Sequence, residues 1–206
     1  MSLSKTTDSA LKRLLELSSP QLVPGPALSP VDRRGARAQL LAEWLNVLER
    51  RNGFYSFESA LHVFPSRSLV SHIGLDEWNS SGLWRESYGD LDPGALFFSE
   101  DVFGNQFGLT EEGVCRFDAE TAEVERFADT PEDWAHLIVD DFNVSTGFPI
   151  AHRWQELHGP LAAGLRLLPK VPFVLGGEYA VENLYAGRAV EGMRVRGHLA
   201  TQLVGH

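Results

Sequence analysis

Cysteine occurs once in these 206 residues, at Cys115. A lone cysteine excludes an intrachain disulfide framework and a cysteine-rich zinc module. No apolar run approaches the ~18 residues that a membrane-spanning helix needs. Near the N-terminus the apolar positions are interrupted by Lys12, Arg13 and Glu16, so a signal peptide's continuous hydrophobic region is not expected. The expected compartment is the cytoplasm. Signature motifs are missing too. There is no GxxxxGK[ST] phosphate loop, no GxSxG elbow, no HExxH and no Cys-x-x-Cys. Gly176-Gly177 has no third glycine opening a helix, so it reads as a turn and not as a dinucleotide fingerprint. Neither a cofactor nor a metal is expected.

Basic residues are scarce in the middle of the chain. Residues 61–150 hold 4 Lys/Arg against 18 Asp/Glu, whereas the whole chain carries a net charge of −10. Such a field repels nucleic acid and anionic membranes and favours a basic protein partner. The 43% hydrophobic and 22% charged content is that of a folded globular domain.

Residues 18–31 hold four prolines and read as an extended arm. With the Leu11–Leu17 segment before it, this sets an N-terminal unit of 1–34 ahead of a domain at 35–206. From Gly35 to Arg51, Leu40, Leu41, Trp44, Leu45 and Leu48 mark one helical face, and Asn52-Gly53 supplies a left-handed stop. A short strand is expected near 61–64, and helical turns with Trp78, Trp84 and Tyr88 follow. FFSEDVFGNQFGLTEEGVCRFDAETAEVERFAD alternates as a meander, with strands near 95–99, 105–110, 113–118 and 123–127. Thr130-Pro131-Glu132-Asp133 opens a helix carrying Trp134, Leu137, Ile138 and Phe142. Further helices are expected at Gly147–Leu157 and 188–204, with short strands near 171–175 and 181–186. The order is that of a single α+β domain: an antiparallel-rich mixed sheet flanked by helices.

Candidate chemistry is thin. Glu100 and Asp101 form the most conspicuous carboxylate pair, but neighbours on a strand point to opposite faces, so they are not expected to act as one dyad. His152/Glu156 and His136/Asp140 sit four residues apart on helices, where a pair without a third ligand reads as a surface contact. Asp90-Leu91-Asp92 fails the calcium-loop template, because its glycine falls one place early and position twelve is Asp101. His62 reads as a sheet-face histidine and Cys115 as an inert buried thiol. Trp78, Trp84 and Trp154 stand beside polar residues and are candidates to line a groove.

The stretch Glu100-Asp101-Val102-Phe103-Gly104-Asn105-Gln106-Phe107-Gly108-Leu109, then Gly113-Val114 and the charged hairpin to Phe127, resembles the SUKH superfamily. That family comprises yeast cell-wall glucan-synthesis regulators and bacterial immunity proteins. NGFYSFESALHVFP and PFVLGGEYAVENLYAGRAVEGMRVRGHLATQL are similar to segments of some bacterial members. The likeness spans about 40–204; the long Pro-rich arm departs from it. The resemblance implies a mixed sheet backed by helices and a non-enzymatic binding role: an immunity-type protein neutralising a toxin of a contact-dependent or polymorphic system. In that reading the acids mimic phosphates and speed encounter with a basic toxin domain. The candidate contact residues are Glu100, Asp101, Glu111, Glu112, Glu120, Glu123 and Glu125, with Trp78 and Trp84. The alternatives are a regulatory or scaffolding module that binds a host protein or small ligand, and an uncharacterised hydrolase.

Overall fold

The computed structural model describes residues 9–25, 27 and 38–205. The rest of the Pro-rich arm lies outside the described residues, as does the start of the helix expected from Gly35. Helix α1 (Ala10–Glu16) is capped twice at its first turn. Its own Ser9 hydroxyl accepts from the Lys12 N–H, and the Glu132 carboxylate accepts from the Ser9 hydroxyl and the Ala10 N–H. The orphan donors of this short helix are thus met by tertiary structure, which explains how seven residues hold a helix. The described part of the arm then runs along the domain. Ser19, Leu22 and Val23 donate their N–H groups to Tyr55, Gly53 and Asn52. Arg51 reaches over to the carbonyls of Leu15, Ser18 and Ser19.

Helix α2 (Ala38–Arg50) buries Leu40, Leu41, Trp44 and Leu48 as expected from their spacing, with Val47 buried beside them and Leu45 only partly buried. Gly53 follows in the left-handed region at φ +72°, and a Cβ there would stand 2.7 Å from the Pro65 ring. Six strands come next: β1 (Phe54–Ser56), β2 (Leu61–Val63), β3 (Leu96–Asp101), β4 (Gln106–Leu109), β5 (Val114–Phe117) and β6 (Val124–Ala128). They pair in chain order, every pair antiparallel. The sheet is therefore an antiparallel meander, with no parallel pair among the described strands to make it mixed; turns join successive strands except β2 and β3, between which residues 64–95 intervene.

Strand β3 is buried at all six positions, since helices cover both faces of the sheet. Phe98 faces one layer, its ring 4.1 Å from Trp44 and 5.1 Å from Trp134. Phe97 faces the other, 5.7 Å from Trp84 and 5.4 Å from Phe117. The second layer begins with α3 (Leu75–Trp78) and two 3-10 turns between Arg85 and Leu91. Asn79 fastens it to the sheet: its amide donates to the Leu75 and Phe97 carbonyls and accepts from the Phe97 N–H.

Helix α4 (Pro131–Asp140) starts as expected, with the Thr130 hydroxyl accepting from the Asp133 N–H. Its buried face is Trp134, Ala135, Ile138 and Val139; Leu137 is 44% exposed. Phe142 belongs instead to α5 (Phe142–Thr146), because the chain turns at Asp141, whose side chain caps the new helix. Helix α6 (Phe148–His158) precedes a separate hairpin of β7 (Leu165–Pro169) and β8 (Leu184–Arg188), and α7 (Ala189–Val204) closes the chain.

The hairpin corrects two expectations. Residues 171–175 are not a strand: Phe173–Leu175 form a 3-10 turn, with Pro172 unable to donate to a ladder and Gly176 at φ +90°. Residues 181–186 hold a 3-10 turn at Val181–Asn183 before β8 begins at Leu184. The real partner strand is β7, whose apolar run is broken in sequence by Arg166.

Candidate functional site

The acids singled out from the sequence separate into two kinds. Glu100 and Asp101 are each 1% exposed and point to different surroundings, as strand alternation requires. Asp101 braces the turn after β3. Its carboxylate accepts from the N–H groups of Phe103 and Asn105 and from the Asn105 amide, each at 2.9 Å, with Arg116 3.5 Å away. Burial raises its carboxyl pKa, opposed by Arg116 and these bonds. Glu120 is also buried, and its Oε2 accepts from the Val174 N–H at 2.9 Å. As contact residues, Glu100 and Asp101 are corrected: their oxygens are turned inward, where the protein's own donors satisfy them.

Glu111, Glu112, Glu123 and Glu125 are exposed. They divide between the two ends of the β5–β6 hairpin, the first pair at the β4–β5 turn and the second pair beyond the 118–121 turn. Trp78 and Trp84 are 1% and 2% exposed and pack with each other and with Phe97 and Phe64, so neither presents a surface anchor. His152 pairs with Glu58 at 2.8 Å and with Glu156 at 3.8 Å, and His136 with Asp140 at 3.0 Å, all on the surface. Among the described residues no group of three or more His, Cys, Asp or Glu side chains is placed to hold a metal ion. Burial pushes the Cys115 thiol up to about 11.

Behind the sheet lies a buried charge network that the sequence reading did not assemble. Glu100 Oε1 accepts from Arg166 Nε at 2.9 Å and from His62 Nδ1 at 3.0 Å, while its Oε2 faces Gln106 Nε2 at 3.4 Å. Register explains the meeting, since His62 on β2 lies directly opposite Glu100 on β3. Arg166 reaches in from β7, donates to the Ser59 carbonyl and sits 5.5 Å over the Tyr55 ring. Burial would raise the Glu100 carboxyl, but Arg166, then His62 and Gln106, outweigh it and hold it below the usual range. For His62, burial outweighs Glu100 and lowers the imidazole to about 4. Near neutral pH the network is an ionised carboxylate, a guanidinium and a neutral imidazole. The sequence signal was Arg166 inside the apolar run LRLLP, a charge that demands a buried partner.

His62 and Glu100 form part of the lining of a cleft of about 660 Å³. Tyr55, Phe64 and Trp78 supply aromatic walls, residues 69–73 run along one side, and the start of α7 along another. Trp78 is fixed by a 2.8 Å bond from its Nε1 to Gln106. The groove expected near Trp78 exists; Trp84 and Trp154 do not line it.

A second feature lies where the 170–180 loop meets the β5–β6 hairpin. Phe103, Asn105, Asp118, Glu120, Thr121, Phe173, Val174, Tyr179 and Arg196 surround a hollow of about 240 Å³. Phe173 and Tyr179 stack with centroids 3.8 Å apart. Val171, Val174, Leu175 and Tyr179 are 51%, 39%, 57% and 64% exposed, so an apolar run that reads as core in sequence is turned to solvent. Glu120 Oε1 is buried beside it without a hydrogen-bond partner.

Neither a protein-family model nor a curated protein sequence matches the chain. Its fold has a solved counterpart. The chain is similar to the crystal structure of Atu4351 from Agrobacterium tumefaciens, with a TM-score of 0.57 and 15% identity, over 93% of this chain and 88% of that one. At that identity the likeness speaks for the fold alone. No helix among the described residues is long and apolar enough to cross a membrane.

Proposed function

We infer that this chain is a non-enzymatic protein-binding module of the immunity type, which engages a basic partner domain through the face made by the β5–β6 hairpin and the 170–180 loop. The observation that carries this reading is the exposed loop itself. Val171, Val174, Leu175 and Tyr179 form an apolar surface that no described element covers, directly against the partly unpaired Glu120 carboxylate. Exposed apolar area rimmed by charge marks an interaction site. Asp118, Glu123 and Glu125 give that face its acidity, which suits a basic surface and accelerates encounter. The resemblance of the 100–127 region to SUKH immunity proteins supports the same reading.

The test is a pull-down from native lysate for a basic partner domain, followed by titration of that domain against four variants. Tyr179→Ala and Val174→Asp weaken binding at least tenfold. Glu123→Lys with Glu125→Lys slows association and flattens its salt dependence, while Glu111→Lys with Glu112→Lys leaves both near the parent value. Association indifferent to ionic strength refutes the acidic reading. Sensitivity confined to Glu111 and Glu112 places the contact at the other end of the hairpin.

A further inference from the structure

The cleft over the sheet contains an unfinished hydrogen-bond network. Three buried nitrogens at or behind it have no partner: His62 Nε2, His72 Nδ1 and Arg166 Nη2. Two of these belong to side chains that line the same cavity. A buried polar atom without a partner loses its hydrogen bond to water, so two such atoms on the lining of one cavity call for a physical reason.

The geometry fixes what His62 presents. Glu100 is held ionised by Arg166 at 2.9 Å, and a carboxylate only accepts. The proton between Glu100 and His62 therefore sits on Nδ1, which leaves the Nε2 lone pair as an acceptor. The ring is 3% exposed and stacked on Tyr55 at 4.4 Å, so its orientation is locked. Around it stand Phe64 and Trp78, whose rings stack at 4.6 Å, with Ile73 and Leu69 beyond. The rim carries both signs, Arg188 and Arg194 against Glu77 and Glu191, and selects no strongly charged ligand. One wall, residues 69–73, is closed mainly on itself by the reciprocal Leu69–His72 backbone bonds, which makes it the part able to yield to an entering ring.

We propose that this cleft binds a small planar aromatic molecule carrying an N–H donor, with the ring against the wall formed by Tyr55, Phe64 and Trp78 and the donor on His62 Nε2. The volume of about 660 Å³ lies within the range of small-molecule sites. The site is independent of the acidic docking face and needs no partner protein.

Indole and 1-methylindole are the probes, followed through the imidazole nitrogen resonances of histidine-labelled protein. Indole shifts the His62 Nε2 signal saturably. 1-Methylindole has the same ring without the donor and binds about tenfold more weakly, the worth of one hydrogen bond. His62→Phe makes the two probes equal, and Val190→Trp, which fills the cleft mouth, abolishes both. Equal affinity of the two probes for the parent protein overturns the proposal without reliance on any variant. So does saturable binding that leaves the His62 signal unmoved, or no saturable binding by either probe.

Discussion

Arg166 Nε lies 2.9 Å from Glu100 Oε1, with one side chain wholly buried and the other 1% exposed. This pair joins the separate β7–β8 hairpin to the main sheet, so its strength concerns the whole fold. Breaking it from one side is expected to be severe. Arg166→Met leaves a buried carboxylate without its cation and lowers stability by about 3–5 kcal/mol in urea unfolding. The double variant Arg166→Met with Glu100→Gln recovers part of that loss, because no uncompensated charge remains. Additive losses would show that the two side chains do not interact as the distance implies.

His62 makes stability depend on pH with a definite sign. Its folded pKa is about 4, below the ordinary 6.5, because burial disfavours the charged ring. As pH falls through 6.5 the unfolded chain takes up the proton first, so stability declines from there to about pH 4. The loss is at most about 3 kcal/mol. His62→Phe removes this slope between those limits. His152 runs the other way: Glu58 raises its pKa, so its contribution is present below 6.5 and fades as pH rises through the folded value. An unchanged slope in His62→Phe would reassign the effect.

Asn79 is the second buried polar post, bonded to Leu75, to both backbone groups of Phe97 and, through Oδ1, to Arg85 at 3.0 Å. Asn79→Leu keeps the branched shape of the side chain, though it is bulkier, and strands those groups. A destabilisation of about 3 kcal/mol is expected in the same unfolding assay. A change below about 1 kcal/mol would mean that water takes over its bonds.

Gly177 packs so closely against the Val171 carbonyl that a Cβ would overlap it. Gly177→Ala therefore displaces the 171–177 turn while leaving the main sheet intact. Partner binding through Tyr179 and Val174 falls with little change in the unfolding midpoint. A large drop in that midpoint would show that the loop belongs to the folding core.

The strong periodicities were legible because local rules and burial agree. The 3.6-residue stripe of α2, the Thr130 cap, the α6 and α7 spans and the meander all follow from side-chain spacing and turn residues. The strand-face argument that separates Glu100 from Asp101 holds for the same reason. Where local pattern and tertiary context conflict, the pattern misleads. VPFVL has the composition of a core strand, yet Pro172 and the glycines turn it outward. LRLLP looks interrupted by charge, yet Arg166 is buried because Glu100 waits 66 residues away.

Acidity followed the same division. Sequence determined that the middle of the chain is rich in carboxylates and that its strands alternate. Only the tertiary structure decided which carboxylates face inward. Glu100 and Glu120 are drawn in by donors from distant segments, Arg166 and Val174, and Asp101 by the turn that follows it at Asn105. Glu111, Glu112, Glu123 and Glu125 have no buried position to occupy on the hairpin and stay in water. Alternation is a local property of the backbone, whereas solvation of a charge depends on every segment packed around it.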